Sequence, residues 1–389
     1  TGVDGGSSGG GLMSMLAGAR ATITAAANGL LNALARNVAE DASATAGLAA
    51  TGLRDAAITA GSDATINSTA SINASADATS TGTPIAGAST DASLASLQLN
   101  ATGLQASNAS NDIPIGTAGN LSAEAQLDGA SRAAITTGDS DALAALQATG
   151  LRAADVDVLV NIGGSGTLNA SAAVGSAASP LSISALSAGL GDATAQGAAA
   201  VAGILGSINS TNSTSSNLRI GDDATIAAQG SSQLQISAAA TGGNASASLS
   251  DSASNGSASV VGLQGLNLSS ADDLRDLTAS ARGNSTVAAS SVAGNATSGT
   301  SASSTGILGA SALPLSISAG GDGHITATAS QSALNQALTV AGIASANGSV
   351  SATGFSNGVV QIGGSGTLSV LARSDQGTFA SSIHGNSSA

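Results

Sequence analysis

The segment Ile162-Gly163-Gly164-Ser165-Gly166-Thr167-Leu168 recurs without a change at Ile362 to Leu368. Looser versions fall at Ile58 to Ile66 (ITAGSDATI), Ile115 to Leu121 (IGTAGNL), Ile220 to Ile226 (IGDDATI) and Ile317 to Ile325 (ISAGGDGHI). Each is an apolar run, a Gly/Asp/Ser turn and a second apolar run, which reads as strand, turn, strand. A chain that repeats such a unit is expected to stack, because one unit cannot bury its own inner face and its neighbours must do so.

Two further phrases recur. Ala-Thr-Gly followed by Leu or Phe occupies Ala50 to Leu53, Ala101 to Leu104, Ala148 to Leu151 and Ala352 to Phe355, and Pro-Leu-Ser-Ile-Ser-Ala occupies Pro180 to Ala185 and Pro314 to Ala319. Equivalent turns lie roughly 40 to 60 residues apart, a super-repeat of about 50 residues. Between turns, stretches such as Thr65 to Ala76 (TINSTASINASA) alternate small or apolar residues with Ser, Thr or Asn, the period of a strand. At about 20 residues per coil, each super-repeat is expected to hold two or three coils. Coils stacked ~4.8 Å apart would then make a rod on the order of 100 Å long.

Composition says what fills this stack. The chain has 389 residues but only two Phe, no Trp, Tyr or Cys and 52 Gly. A thick core would have to be built from Leu, Ile, Val and Ala alone, which favours a thin cross-section with Ala pointing inward despite its poor strand propensity. Disorder is the rival for any Gly/Ser/Ala-rich chain, but a mean hydropathy of +0.28 and 8% charged residues are the opposite of what keeps chains unfolded. The expected fold is therefore all-β: a single-chain β-solenoid over residues 41–389, preceded by a cap or assembly segment at residues 1–40. Within that segment Leu30, Leu31, Leu34 and Val38 share a helical face, so Gly11 to Ala39 is expected to be helical.

The net charge of -14, with nine Arg and no Lys, leaves no basic patch for phosphates and argues against nucleic acid and anionic membrane. No window approaches the ~18 apolar residues that span a bilayer. Position 1 is Thr, with no basic stretch ahead of Leu12 to Ala17, which suits an exported, processed chain.

Catalytic signals are weak. His324 and His384 have no second His at ligand spacing, and the only glutamates are Glu40 and Glu124. The pairs Asp139/Asp141, Asp155/Asp157 and Asp222/Asp223 read first as turn carboxylates. Isolated calcium sites are conceivable at Asp222/Asp223, but Leu168 stands where a calcium-binding GGxGxD repeat needs its Asp. The expectation is no enzyme, no cofactor and no metal. The least bland polar signal is asparagine: fifteen of 23 Asn lie in Asn-X-Ser/Thr, among them Asn67, Asn73, Asn100, Asn108, Asn169, Asn209, Asn212, Asn244, Asn284 and Asn295. These are candidate glycosylation sites. Strand alternation alone also places Asn and Ser two apart on an outer face.

The phrase Val360-Gln361-Ile362-Gly363-Gly364-Ser365-Gly366-Thr367-Leu368 resembles the Ala/Ser/Gly-rich repeat proteins of bacterial surfaces, notably those of marine cyanobacteria, over most of residues 41–389. That resemblance implies a secreted, surface-associated or filamentous role, and it carries no site residue. The expected function is a structural subunit of an extracellular fibre, filament or surface layer that assembles with itself by stacking or strand addition. The alternatives are a glycan-binding adhesin or phage fibre and, third, a polysaccharide-active enzyme.

Overall fold

A computed structural model describes residues 3–4, 14–38, 41–55, 57–81, 92–106, 112–153, 159–206, 217–221, 223–250, 258–270, 272–309 and 315–389. Among these the only regular structure is the strand, arranged in three parallel sheets. The chain visits them in rotation. It passes from Ser14–Ala17 in a short sheet to Thr22–Asn37 in a broad sheet and Ala42–Arg54 in a companion sheet. The next circuit is Ala57–Ala60, Thr65–Ser80 and Ala92–Ala106. The order persists to Gly358–Ile362, Gly366–Ser382 and Ser387–Ser388. The short sheet has eight strands, one for each circuit.

Circuits pair in register. Ile23, Ile66, Leu121, Leu168, Ile226, Leu277, Ile325 and Leu368 form one column across the broad sheet. One super-repeat is therefore one whole circuit, not two or three coils. Broad-sheet strands reach 16 to 18 residues, so each is roughly 50 Å long, while eight strands at ~4.8 Å stack to only about 34 Å. The molecule is wider than its stack is deep.

The recurrent phrases now have places. The IGGSGTL-type segments are the turns from short to broad sheet, closed by bonds such as Ala64 N–H to Gly61 O (3.2 Å), Gly119 N–H to Gly116 O (2.9 Å) and Gly166 N–H to Gly163 O (3.2 Å). Arg20, Asp63, Ala118 and Asp223 take left-handed backbone there, at φ 58 to 63°. The two Pro-Leu-Ser-Ile-Ser-Ala phrases are not equivalent: Leu181–Ser187 belongs to the broad sheet and Leu315–Ala319 to the short one.

The expected N-terminal helix is a strand. Thr22–Asn37 pairs in parallel with Thr65–Ser80 along its whole length. Leu30, Leu34 and Val38 are four apart, a spacing that fits one helical face and equally one side of a strand. They face outward, while Leu31 packs on the core from the other side. Sixteen residues of interstrand bonding outweigh the helical preference of Ala and Leu. Residues 11–13 and 39–40 lie outside the described residues.

The interior has two compartments. Where the broad and companion sheets approach each other alone, inward positions are mostly Ala, such as Ala44, Ala74, Ala76, Ala78, Ala95 and Ala142. Beside the short sheet, columns of Ile and Leu fill the space, including Leu53, Leu104, Leu151, Ile204, Leu263 and Ile307 on the companion sheet. Between them runs a glycine column: Gly52, Gly103, Gly150, Gly203, Gly262, Gly306 and Gly354. A Cβ on Gly150 would stand 2.6 Å from Gly203 O and 2.7 Å from Ser171 N, and Gly103, Gly262 and Gly306 meet the broad sheet's backbone in the same way. The companion sheet bends inward at these glycines until backbone touches backbone. Only glycine permits that approach.

Toward the last circuits the Ala compartment turns polar. Asn335 and Gln331 are buried there, accepting from Thr300 Oγ1 (2.5 Å) and Ser304 Oγ (2.7 Å). The hydroxyls of Ser285 and Ser298 are buried without a partner.

Candidate functional site

Where the broad sheet turns into the companion sheet, two hydrogen-bonded rails run along the stack. On the outside, the side chain of one circuit accepts from the backbone of the next. Asp139 Oδ1 takes Asp192 N–H (2.9 Å), Asp192 Oδ1 takes Asn244 N–H (2.7 Å), Asn244 Oδ1 takes Asn295 N–H (3.0 Å), and Asn295 Oδ1 takes Ile343 N–H (2.8 Å). Asp41 does the same for Ala92 N–H (2.7 Å). On the inside, hydroxyls bond a glycine carbonyl of the preceding circuit: Ser187 to Gly138 (2.8 Å), Ser291 to Gly243 (2.7 Å), Thr339 to Gly294 (2.7 Å) and Ser382 to Gly342 (2.8 Å). The glycines are required because an added Cβ on Gly191, Gly243, Gly294 or Gly342 would collide with the carbonyl below it. A shorter rail serves the opposite turn, where Asp273 Oδ1 takes Asp322 N–H (2.7 Å) and Asp322 Oδ1 takes Ser365 N–H (2.5 Å).

Of the acidic candidates, the rails take up Asp139. Asp139 is a rail member, its Oδ1 engaged by Asp192 N–H, and Asp141 follows two residues on along the companion sheet's outward face. Asp223 occupies a left-handed turn position, and Asp222, Asp155, Asp157 and Glu40 lie outside the described residues. Glu124 is exposed on the outer face of the broad sheet. His324 Nδ1 sits 2.8 Å from Thr367 Oγ1 on the next strand, and His384 N–H bonds Val340 O (2.8 Å). No group of three or more His, Cys, Asp or Glu able to hold a metal occurs among the described residues, and they contain no helix long and apolar enough to cross a membrane.

The sequon asparagines are scattered along the stack. Asn73, Asn169, Asn244, Asn284 and Asn295 are exposed, Asn67 and Asn100 are half-buried, and Asn108, Asn209 and Asn212 lie outside the described residues. Asn244 and Asn295 are rail members whose carbonyl oxygens are already engaged. Their sequons arise from the rail itself, since Asn, an inward Ala and an outward Ser or Thr follow one another. A readable signal lay in the phrase Gly-Asp/Asn-Ala/Ser, found at Gly138 to Ser140, Gly191 to Ala193, Gly243 to Ala245, Gly294 to Ala296 and Gly385 to Ser387.

Two depressions interrupt the companion sheet's outer face. One, of ≈ 390 Å³, is bordered by Ser96, Gln98, Leu143, Gln196 and Ser250, and the other, of ≈ 400 Å³, by Ser248, Gly299, Ser301, Asn347 and Ser349. Neither gathers an acid, a base and a nucleophile. What the molecule offers is a regular outer surface of Ser, Thr, Asn and Gln in rows one strand apart. No protein-family model, curated protein or solved structure matches this chain.

Proposed function

We propose that the chain is a β-solenoid serving as a structural, non-enzymatic subunit of an extracellular fibre, filament or surface layer. The observation that carries this reading is the unbroken ladder. Parallel pairing continues from Thr22–Asn37 to Gly366–Ser382, so each outermost strand presents the donors and acceptors that the inner strands use. Further chain or another copy can extend it by strand addition. The rails lend the stack stiffness along that direction. Nine Arg and no Lys leave few sites for trypsin.

A glycan-binding adhesin or phage fibre is the second reading, favoured by the Ser/Thr/Asn-rich outer faces and the two depressions. Electron microscopy and sedimentation over a concentration series separate the two. Filaments that lengthen with concentration are expected. Single particles at every concentration, together with retention on immobilised glycan, would replace the first reading by the second.

A further inference from the structure

Among the described residues the broad sheet is bounded by Thr22–Asn37 at one end of the stack and by Gly366–Ser382 at the other. Leu368 (48% exposed) and Val370 (49%) point inward on the last strand, yet Ile325 and Ala327, one circuit earlier in the same columns, are buried. Only the want of a further strand lays them open. Neither bounding strand contains proline or lysine, and Arg373 on the last one is bonded to Asp375 (2.7 Å). The usual devices that keep a sheet edge from pairing are missing from both.

The outer face marks the same two strands. Leu34 (60% exposed) on the first and Phe379 (52%) on the last stand in one column, with Asp77, Arg132, Ser184, Ser237, Ala288 and Gln336 on the strands between them. Val38 (74%) and Ile383 (68%) each follow four residues later. Large apolar side chains thus recur in matching columns at the two ends, and neither cluster has an apolar neighbour on the next strand inward in the column of Leu34 and Phe379.

We propose that these edges join, the first circuit of a second copy stacking on the last circuit of this one, head to tail and in register. This rests on the strand addition proposed above and names the two surfaces that meet. Thr22–Asn37 of the second copy then pairs with Thr367–Ser382. Inside, Ile23 covers Leu368 and Ala25 covers Val370. Outside, Leu34 lies beside Phe379 and Val38 beside Ile383, so the two clusters become one. Arg36 lies beside Ser381, and the outer face stays in water, so no charge is buried. Gln376, which Leu31 would cover, already donates to Gly348 O (2.9 Å). A slip of two residues, the smallest that keeps inward side chains inward, would put Phe379 beside Asn32 or Arg36.

The other sheets accept the same register. In the short sheet Ser14–Ala17 falls on Val359–Ile362. In the companion sheet the layer at the join would hold Ser387–Ser388 of one copy, on Ala344–Ser345, and Val3–Asp4 of the next, in the columns of Phe355–Ser356, without overlap. One translation satisfies all three sheets. A contact that repeats by translation is heterologous and open, the geometry of a filament.

Because the chain has no cysteine, introduced ones report cleanly. Thr24→Cys and Ser369→Cys share an outward column seven strands apart, about 34 Å within one chain. A bifunctional thiol reagent shorter than the spacing of two strands can therefore link them only between chains. Mixing the two single variants at micromolar concentration is expected to give 24–369 dimers as the main product. Leu30→Cys, six residues along the same strand, should link to Ser369→Cys at least about tenfold more slowly. Phe379→Glu in the chain carrying Ser369→Cys should lower the 24–369 yield about fivefold with circular dichroism unchanged, and Leu34→Arg in its partner should restore it. Dimers linked 369–369 as the main product, or 24–369 linkage no faster than 30–369, would overturn the proposal. If filaments still form in that case, strand addition stands and this join alone fails; single particles at every concentration remove both.

Discussion

The two compartments of the interior are lined by the same strands yet filled differently. On the rail side of the glycine column the broad and companion sheets face each other directly, and Ala is the commonest inward residue, with larger side chains such as Ile72, Leu97, Leu99 and Leu127 between the alanines. On the other side the short sheet holds them apart, and Ile and Leu are needed. Backbone spacing, set by glycine, decides side-chain size here. The lesson is that a chain with two Phe and no other aromatic can bury its core with aliphatic side chains alone if a glycine column pinches it into two compartments.

The sharpest way to break this contrast is at the pinch. Gly150→Val should cost more than about 3 kcal/mol, since its side chain has only backbone to displace. Gly47→Ala, whose added methyl meets nothing within 4 Å, should leave the urea midpoint unchanged or slightly raised. Next come exchanges between compartments. Leu151→Ala on the wide side should lower stability by about 2–5 kcal/mol by opening a cavity, and Ala142→Leu on the narrow side by about 1–3 kcal/mol or more by overpacking. Equal tolerance of leucine at Ala142 and at wide-side positions, read from denaturation midpoints, would remove the distinction.

Smaller effects belong to the rails and the polar end of the narrow compartment. Asp192→Ala removes the acceptor for Asn244 N–H and should cost about 1 kcal/mol in urea unfolding. Ser298→Ala removes a buried hydroxyl without a partner and should raise stability by up to about 1 kcal/mol. A loss at Ser298 would mean that its hydroxyl is satisfied in solution.

Much of this was legible in the sequence. The Gly-rich phrases are turns, and the alternation in Thr65 to Ala76 is a strand with Ile66, Ala70, Ile72, Ala74 and Ala76 inward. The coil count was not legible, because strands of 16 residues are about three times the usual length and nothing local marks where an alternating run will end. Leu30, Leu34 and Val38 satisfy two periods at once, and only the partner strand chooses between them. The Ala-Thr-Gly phrase was visible as a repeat. Its cause was hidden, because the atoms that exclude a Cβ at Gly150 belong to Ser171 and Gly203, on other strands. The rails were hidden inside sequons for the same reason: the partner of Asn244 is Asn295, 51 residues away.

The distance between spin labels at Thr69→Cys and Thr328→Cys tests the architecture most directly. Their column runs Thr69, Glu124, Ser171, Gln229, Ser280 and Thr328. Five steps of one strand each place the labels about 24 Å apart, measured by pulsed electron resonance in labelled chain diluted with unlabelled. A distance of about 50 Å or more would mean two or more coils in every repeat, and the single-circuit stack would be wrong.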